Sequence, residues 1–225
     1  MKTNKISAFT LLAIGVMLML FSCAPNTFIA NNFEREFPKN GTVAILPYQV
    51  TFNGKMPKNM SEEQRLKQDR EERTAFQQSL FSYLAGKLQG KPVKIMPIQQ
   101  SNAKLSDMGF DIYKIEQYQA QQLAKALGVD AVITPAVEKY RYKSDEESLA
   151  LGAINSVLLA SKVPVGLPRG VSNTNDVKAS CAMISATDGT LLWNVGRTGA
   201  ANWNYPVNNV MDDLHRRMAR KLPNF

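Results

Sequence analysis

Two cysteines and one histidine occur among the 225 residues. A structural zinc site draws several ligands from those two residue types, and neither cysteine has such neighbours in the sequence, so no metal centre and no cofactor is expected. No glycine-rich phosphate loop, nucleophile elbow or paired-carboxylate signature is present, and Asp145-Glu146-Glu147 reads as a helix start. The single histidine, His215, stands beside Arg216 and Arg217 on a C-terminal helix, where a surface or capping role is expected rather than general-base work. A non-enzyme is the expectation.

No apolar run reaches the roughly 20 residues that span a bilayer as a helix. The longest N-terminal stretch runs from Ile6 to Phe21, is broken by Ser7, Thr10 and Gly15, and follows Lys2 and Lys5. A short basic region, an apolar core and a small residue, here Ser22, before a cleavage point describe a secretory leader over residues 1–22. The order Leu20-Phe21-Ser22-Cys23 resembles the bacterial lipobox. That resemblance implies cleavage before Cys23, lipid on its sulfur and acylation, palmitate-like, of its new amino terminus. The competing reading is an ordinary secretory site that happens to precede a cysteine. Cys181 is then left without an intramolecular partner. It shares parity with Val177, Ala179 and Met183 in an alternating run, which predicts a buried small residue rather than a reactive thiol.

The net charge is +8, and losing Lys2 and Lys5 with the leader leaves 25 basic against 19 acidic residues, or +6. Anionic headgroups or an acidic envelope partner suit that surplus, nucleic acid does not suit an exported chain, and simple solubility also accounts for it.

Residues 23–40 read as a lipidated tether, with Phe28, Ile29, Phe33 and Phe37 able to dock on the domain that follows over 41–225. Thr42 to Tyr48 is a continuous apolar and β-branched run, expected as a central strand buried on both faces, followed by a loop with Gly54 and Pro57. Ser61-Glu62-Glu63-Gln64 is a capping box that opens a helix to about Leu88, with Phe76, Leu80, Leu84 and Leu88 as its buried stripe. Its first turns alternate Arg65, Lys67, Arg70 and Arg73 with acidic residues, a solvated face or a partner surface. A short strand at Val93–Met96, a helix from Tyr113 to Leu127 capped by Gly128 and a strand from Val129 to Thr134 complete parallel βαβ crossovers. Two alternating runs, 177–186 and 190–196, meet at Asp188-Gly189 as an antiparallel hairpin, and a last helix covers about 208–222. The fold class is therefore α/β: a single three-layer domain with a mixed sheet, parallel βαβ crossovers and a C-terminal antiparallel hairpin.

Leu149 to Leu167 is an apolar segment with Lys162 as its one charge. A core helix over 145–162 packed on the sheet is the first reading, and an interfacial, oligomer-forming or membrane-inserting element the second.

Thr42-Val43-Ala44-Ile45-Leu46-Pro47-Tyr48, the run from Leu123 to Ile133 and Ala186-Thr187-Asp188-Gly189-Thr190-Leu191-Leu192-Trp193 together resemble the envelope lipoproteins of the curli-secretion-channel and penicillin-binding-protein-activator group. Their shared domain is similar to the amino-terminal domain of the Tol-system propeller protein. The resemblance implies a lipid-anchored, non-catalytic adaptor or assembly factor with an envelope protein partner, or an oligomeric secretion-channel component. A small-ligand-binding module is a third reading. A barrel-forming hairpin alternates strictly, and Val157-Leu158-Leu159 with Pro164 and Pro168 does not, which favours the adaptor over the pore. Ala24 after the cysteine is not the acidic inner-membrane retention residue of familiar systems, so the periplasmic face of the outer membrane is expected by the same resemblance. Candidate interaction residues are Arg65, Arg70, Arg73, Trp203, Tyr205, Arg216 and Arg220. Capping electrostatics explain the last two equally well, and core packing is the commoner use of aromatics such as Trp193, Trp203 and Tyr205.

Overall fold

The computed structural model describes residues 27–54, 60–160, 172–202 and 204–225. The expected leader, Cys23, Trp203 and the 161–167 part of the apolar segment lie outside them. The described chain forms β1 (Thr27–Ile29), α1 (Phe33–Glu36), β2 (Thr42–Ile45), β3 (Gln49–Gly54), α2 (Glu62–Leu88), β4 (Lys94–Ile95), α3 (Ile98–Asp107), a 3-10 turn (Ile115–Gln117), α4 (Ala120–Leu127), β5 (Ala131–Arg141), α5 (Asp145–Ala160), β6 (Asn173–Ser185), β7 (Leu191–Asn202) and α6 (Val207–Ala219). One seven-stranded mixed sheet runs β1-β7-β6-β5-β2-β4, with β3 also paired to β5. β2 is parallel to both β4 and β5, and β5, β6, β7 and β1 are successively antiparallel.

The alternation of β2 separates two cores. Val43 and Ile45 join α2 and α6 on one face, and Ala44 and Leu46 join α3 and α4 on the other. This is the expected three-layer arrangement. The capping box of α2 is present, with the Gln64 N–H donating to Ser61 Oγ at 3.2 Å and the Ser61 N–H donating to Gln64 Oε1 at 2.9 Å. Phe76, Leu80, Leu84 and Leu88 are buried as their spacing predicts. Gly128 ends α4 in the left-handed region, and Gly189, at φ +77°, turns the β6–β7 hairpin.

Several expectations need correction. Residues 49–54, read as loop, form β3; Val50 and Phe52 already alternate with polar neighbours, and Asn53-Gly54 marks the end of the strand, not its absence. Helix α3, unforeseen, buries Ile98, Ser101 and Leu105 at i, i+3 and i+7. The helix expected over 113–127 is split, because Tyr118 is extended between the 3-10 turn and α4. β5 continues seven residues beyond Thr134, to Arg141. Helix α5 forms where the core helix is expected, with Ser148 buried and its hydroxyl donating to the Ser172 carbonyl, while Leu149 is 49% exposed.

Of the stretch read as a tether, the described residues 27–37 pack on the domain. From Thr27 the chain is already paired to β7, with Thr27 opposite Val195 and Ile29 opposite Trp193. Phe33 and Phe37 are buried and pack against Phe225, tilted and edge-on, at centroid distances of 5.5 and 5.4 Å. Phe28 and Ile29 stay half-exposed. Because Phe37 fills core space, Phe37→Ala should lower the unfolding free energy by about 3–5 kcal/mol. Urea titration checks this, and a loss under about 1 kcal/mol would fit a loose tether instead.

Candidate functional site

The C-terminal half of β5, together with β3, runs under the first turns of α2. Phe52 of β3 and Lys139 of β5 turn toward that helix, and a groove of about 270 Å³ opens between them, walled by Met60 and Leu66 and lined by Arg65, Asp69, Glu72, Arg73 and Arg141. Lys139 holds the parity of Val137 on the core face, where an apolar residue is expected. It is tolerated there because Glu72 of α2 meets it as an ion pair, with side-chain exposures of 9% and 12%, and the ammonium also sits 5.8 Å from the Phe52 ring centroid. Arg73 is a clasp: its Nη1 donates to the Tyr48 carbonyl at 2.8 Å and its Nε to Asp69 Oδ2 at 2.8 Å. A neighbouring hollow between the ends of β6 and β7 and the start of α6 shares Gln68, Glu72 and Arg141 with the groove.

Of the sequence candidates, Arg65 and Arg73 come together here, Arg65 exposed and paired with Glu62 at 2.6 Å. Tyr205 stands beside the second hollow, bridged to Asn202 and donating its hydroxyl to the Asn209 carbonyl at 3.2 Å. Arg70 lies apart, over the Tyr113 ring at 5.0 Å. Arg216 pairs with Asp213 at 2.5 Å, and that hydrogen bond holds the Asp213 carboxyl below its ordinary range. Arg220 is exposed at the end of α6. The candidates thus stand in separate places: Arg65 and Arg73 at the groove, Tyr205 beside the second hollow, Arg70 over Tyr113, and Arg216 and Arg220 near the end of α6. Sequence reading missed Lys139, Glu72 and Phe52; Glu72 lies four residues before Phe76 on the buried stripe, a spacing obscured by the charges around it.

His215 is not at the surface. It is fully buried between α2 and α6, four residues after Met211 on the apolar face. Its partners form a directed chain. Ser79 Oγ donates to Asp212 Oδ1 at 3.0 Å and accepts from His215 Nδ1 at 2.9 Å, so His215 Nε2 accepts from the Tyr48 hydroxyl at 2.8 Å. The Cys181 thiol lies against Tyr48, and burial pushes it up to about 12, the inert core cysteine that its parity predicts. Burial lowers His215 to about 4 and raises Tyr48. The order Asp-Ser-His-Tyr differs from a nucleophilic triad, in which the carboxylate orients the histidine and the histidine deprotonates the serine. Here the serine already donates to the carboxylate. The chain satisfies buried polar groups and locks α2 to α6. Among the described residues, no three His, Cys, Asp or Glu side chains gather as a metal site.

No known protein-family model matches the sequence, and no curated protein matches it. Solved structures of similar course include the PelC dodecamer of Paraburkholderia phytofirmans, at 14% identity over 87% of this chain and 94% of that chain with a TM-score of 0.42. The lipoprotein GNA1162 of Neisseria meningitidis is 11% identical over 82% of this chain and 97% of that one, with a TM-score of 0.43. The C-terminal domain of LpoB from Salmonella enterica is 10% identical over 84% and 92%, with a TM-score of 0.36. Likeness at this level carries no information about activity.

Two predictions follow from the buried charges. Between pH 6.5 and about 4 an unfolded His215 takes up a proton that the folded one refuses, so its contribution is complete above 6.5 and is lost as pH falls. The loss approaches about 3 kcal/mol; unfolding curves across that window should steepen for the parent relative to His215→Asn, and equal pH slopes would contradict the assignment. Lys139→Ala, which strands Glu72, should cost about 3–5 kcal/mol, while the apolar double replacement Lys139→Met with Glu72→Leu should recover most of it. Thermal unfolding of both variants decides.

Proposed function

We propose that the chain is a lipid-anchored lipoprotein of the bacterial envelope, joined to its membrane through Cys23, whose folded body binds a partner without catalysing a reaction. The observation that carries this reading is the leader ending in Leu20-Phe21-Ser22-Cys23. One acyl chain binds a bilayer only marginally, but each further buried methylene adds about 0.8 kcal/mol, so two or three chains hold the protein there. No described helix is long and apolar enough to cross a membrane. The periplasmic face of the outer membrane is the proposed location, on the ground that Ala24 follows the cysteine.

The adaptor reading is supported by the groove under α2. Its exposed Arg65 and Leu66 offer charge and apolar surface together. Apolar surface rimmed by paired charges suits a protein segment. An oligomeric secretion component is the alternative; particle mass in detergent distinguishes a ring of many copies from a monomer or dimer. Cells fed a labelled fatty acid should incorporate it into the parent and not into Cys23→Ala, and the variant should leave the membrane fraction. An unlabelled parent, or a variant that stays with the membrane, counts against the proposal.

A further inference from the structure

Three residues separate Cys23 from Thr27, and Thr27 is already fixed in the sheet. Four residue steps reach at most about 14 Å. β1 runs antiparallel to β7, so its Thr27 end points toward the Asn202 end of β7. From Val195, opposite Thr27, that end lies seven residues away, about 23 Å along the strand. An anchor at Cys23 therefore falls short of the tip of the sheet, and a leaflet that holds it must lie alongside the sheet instead of beyond its end.

The two sides are unequal. On one, α6 packs against β7 and adds a layer about 10–12 Å thick, which leaves a 14 Å tether almost no slack. On the other, α3 and α4 cover β2 and the first part of β5, and away from them a shallow hollow of about 610 Å³ is lined entirely by strand residues, Thr27 among them. Phe28 faces this side with 49% of its surface exposed, opposite Asn194 and in the hollow that Thr51 and Ser180 also line. Lys178, with a side-chain exposure of 66%, pairs with Glu138 at 3.6 Å on the same face. One half-exposed aromatic ring amid hydroxyls, an amide and an ion pair suits the headgroup zone of a bilayer, not its hydrocarbon.

We infer that the part of the sheet face left open beside α3 and α4, from Phe28 across Asn194 to Ser180 and Lys178, lies against the lipid headgroups of the leaflet that holds Cys23, and that the short tether imposes this posture. The inference rests on the proposed lipidation of Cys23, and its test separates the two. Phe28→Cys, Ser180→Cys and, as a control on another part of the surface, Tyr113→Cys carry a nitroxide. Each is studied as the lipidated chain in vesicles of phosphatidylethanolamine and phosphatidylglycerol, and as the lipid-free chain lacking residues 1–23. Buried, unreactive Cys181 stays in place.

The sites at 28 and 180 should lose at least about fivefold in collision rate with a water-soluble nickel chelate in vesicles, with position 113 unchanged. Ten Gly/Ser residues inserted after Pro25 should restore collisions to within about twofold of the lipid-free chain. Unchanged collisions at 28 and 180 in a chain whose mass shows the lipid overturn the inference and leave the lipoprotein reading standing. Protection that survives the insertion overturns the role of the tether, and dipolar broadening between labels at 28 assigns the face to a second copy instead of lipid. A chain without lipid at Cys23 removes both readings.

Discussion

Strand β5 is the element on which the rest of the molecule depends. Its first three residues pair with β2 and its last six with β3 along one edge, while its whole length pairs with β6 along the other. Ala131, Val132 and Ile133 are buried on both faces, as a strand inside a parallel crossover must be. Beyond Thr134 the strand alternates, with Val137 and Lys139 inward and Ala136, Glu138 and Tyr140 on the part of the other face left open beside α3 and α4. A single strand thus passes from a region covered on both sides to one covered on a single side, and both the groove and the open face arise from that change.

Burying Lys139 and His215 carries a cost that the fold offsets with matched partners. An uncompensated charge at the depth of Lys139 would cost several kcal/mol, and an unsatisfied polar group about 1–3 kcal/mol. Each has a neighbour on α2: Glu72 for the lysine and Ser79 for the histidine, seven residues and two turns apart on that helix. Together with the Arg73 clasp to the Tyr48 carbonyl, they fix the rotation of α2 about its axis, which an apolar stripe alone leaves loose. The register that sets the groove is electrostatic as much as hydrophobic.

The parts of the fold legible in the sequence were those with a strong local signal. The capping box at Ser61, the Asp188-Gly189 turn, the Gly128 cap and the uniform apolar run of β2 each encode their geometry within a few residues. Elements whose signal was diluted escaped: β3 is half polar, α3 shows only three buried positions, and β5 changes pattern at Thr134. The groove was half legible. Arg65 and Arg73 stood out as charges, but the pairing of Glu72 with Lys139 joins residues 67 positions apart and no local pattern announces it. His215 shows the reverse failure, since Met211, Leu214 and Met218 marked its face as buried and the adjacent arginines drew attention away.

The Phe33, Phe37 and Phe225 cluster ties the described N-terminal segment to residues delivered almost two hundred positions later. During synthesis the Phe33–Phe37 segment emerges early, yet its partners on β7 and at Phe225 emerge last. Local helices can form on the way, but β1 meets its partner only when β7 is present, and contacts of such long sequence separation form slowly. A chain of this design waits with two aromatic rings and a strand edge uncovered, so its exposure to misassembly is set by the order in which its ends arrive.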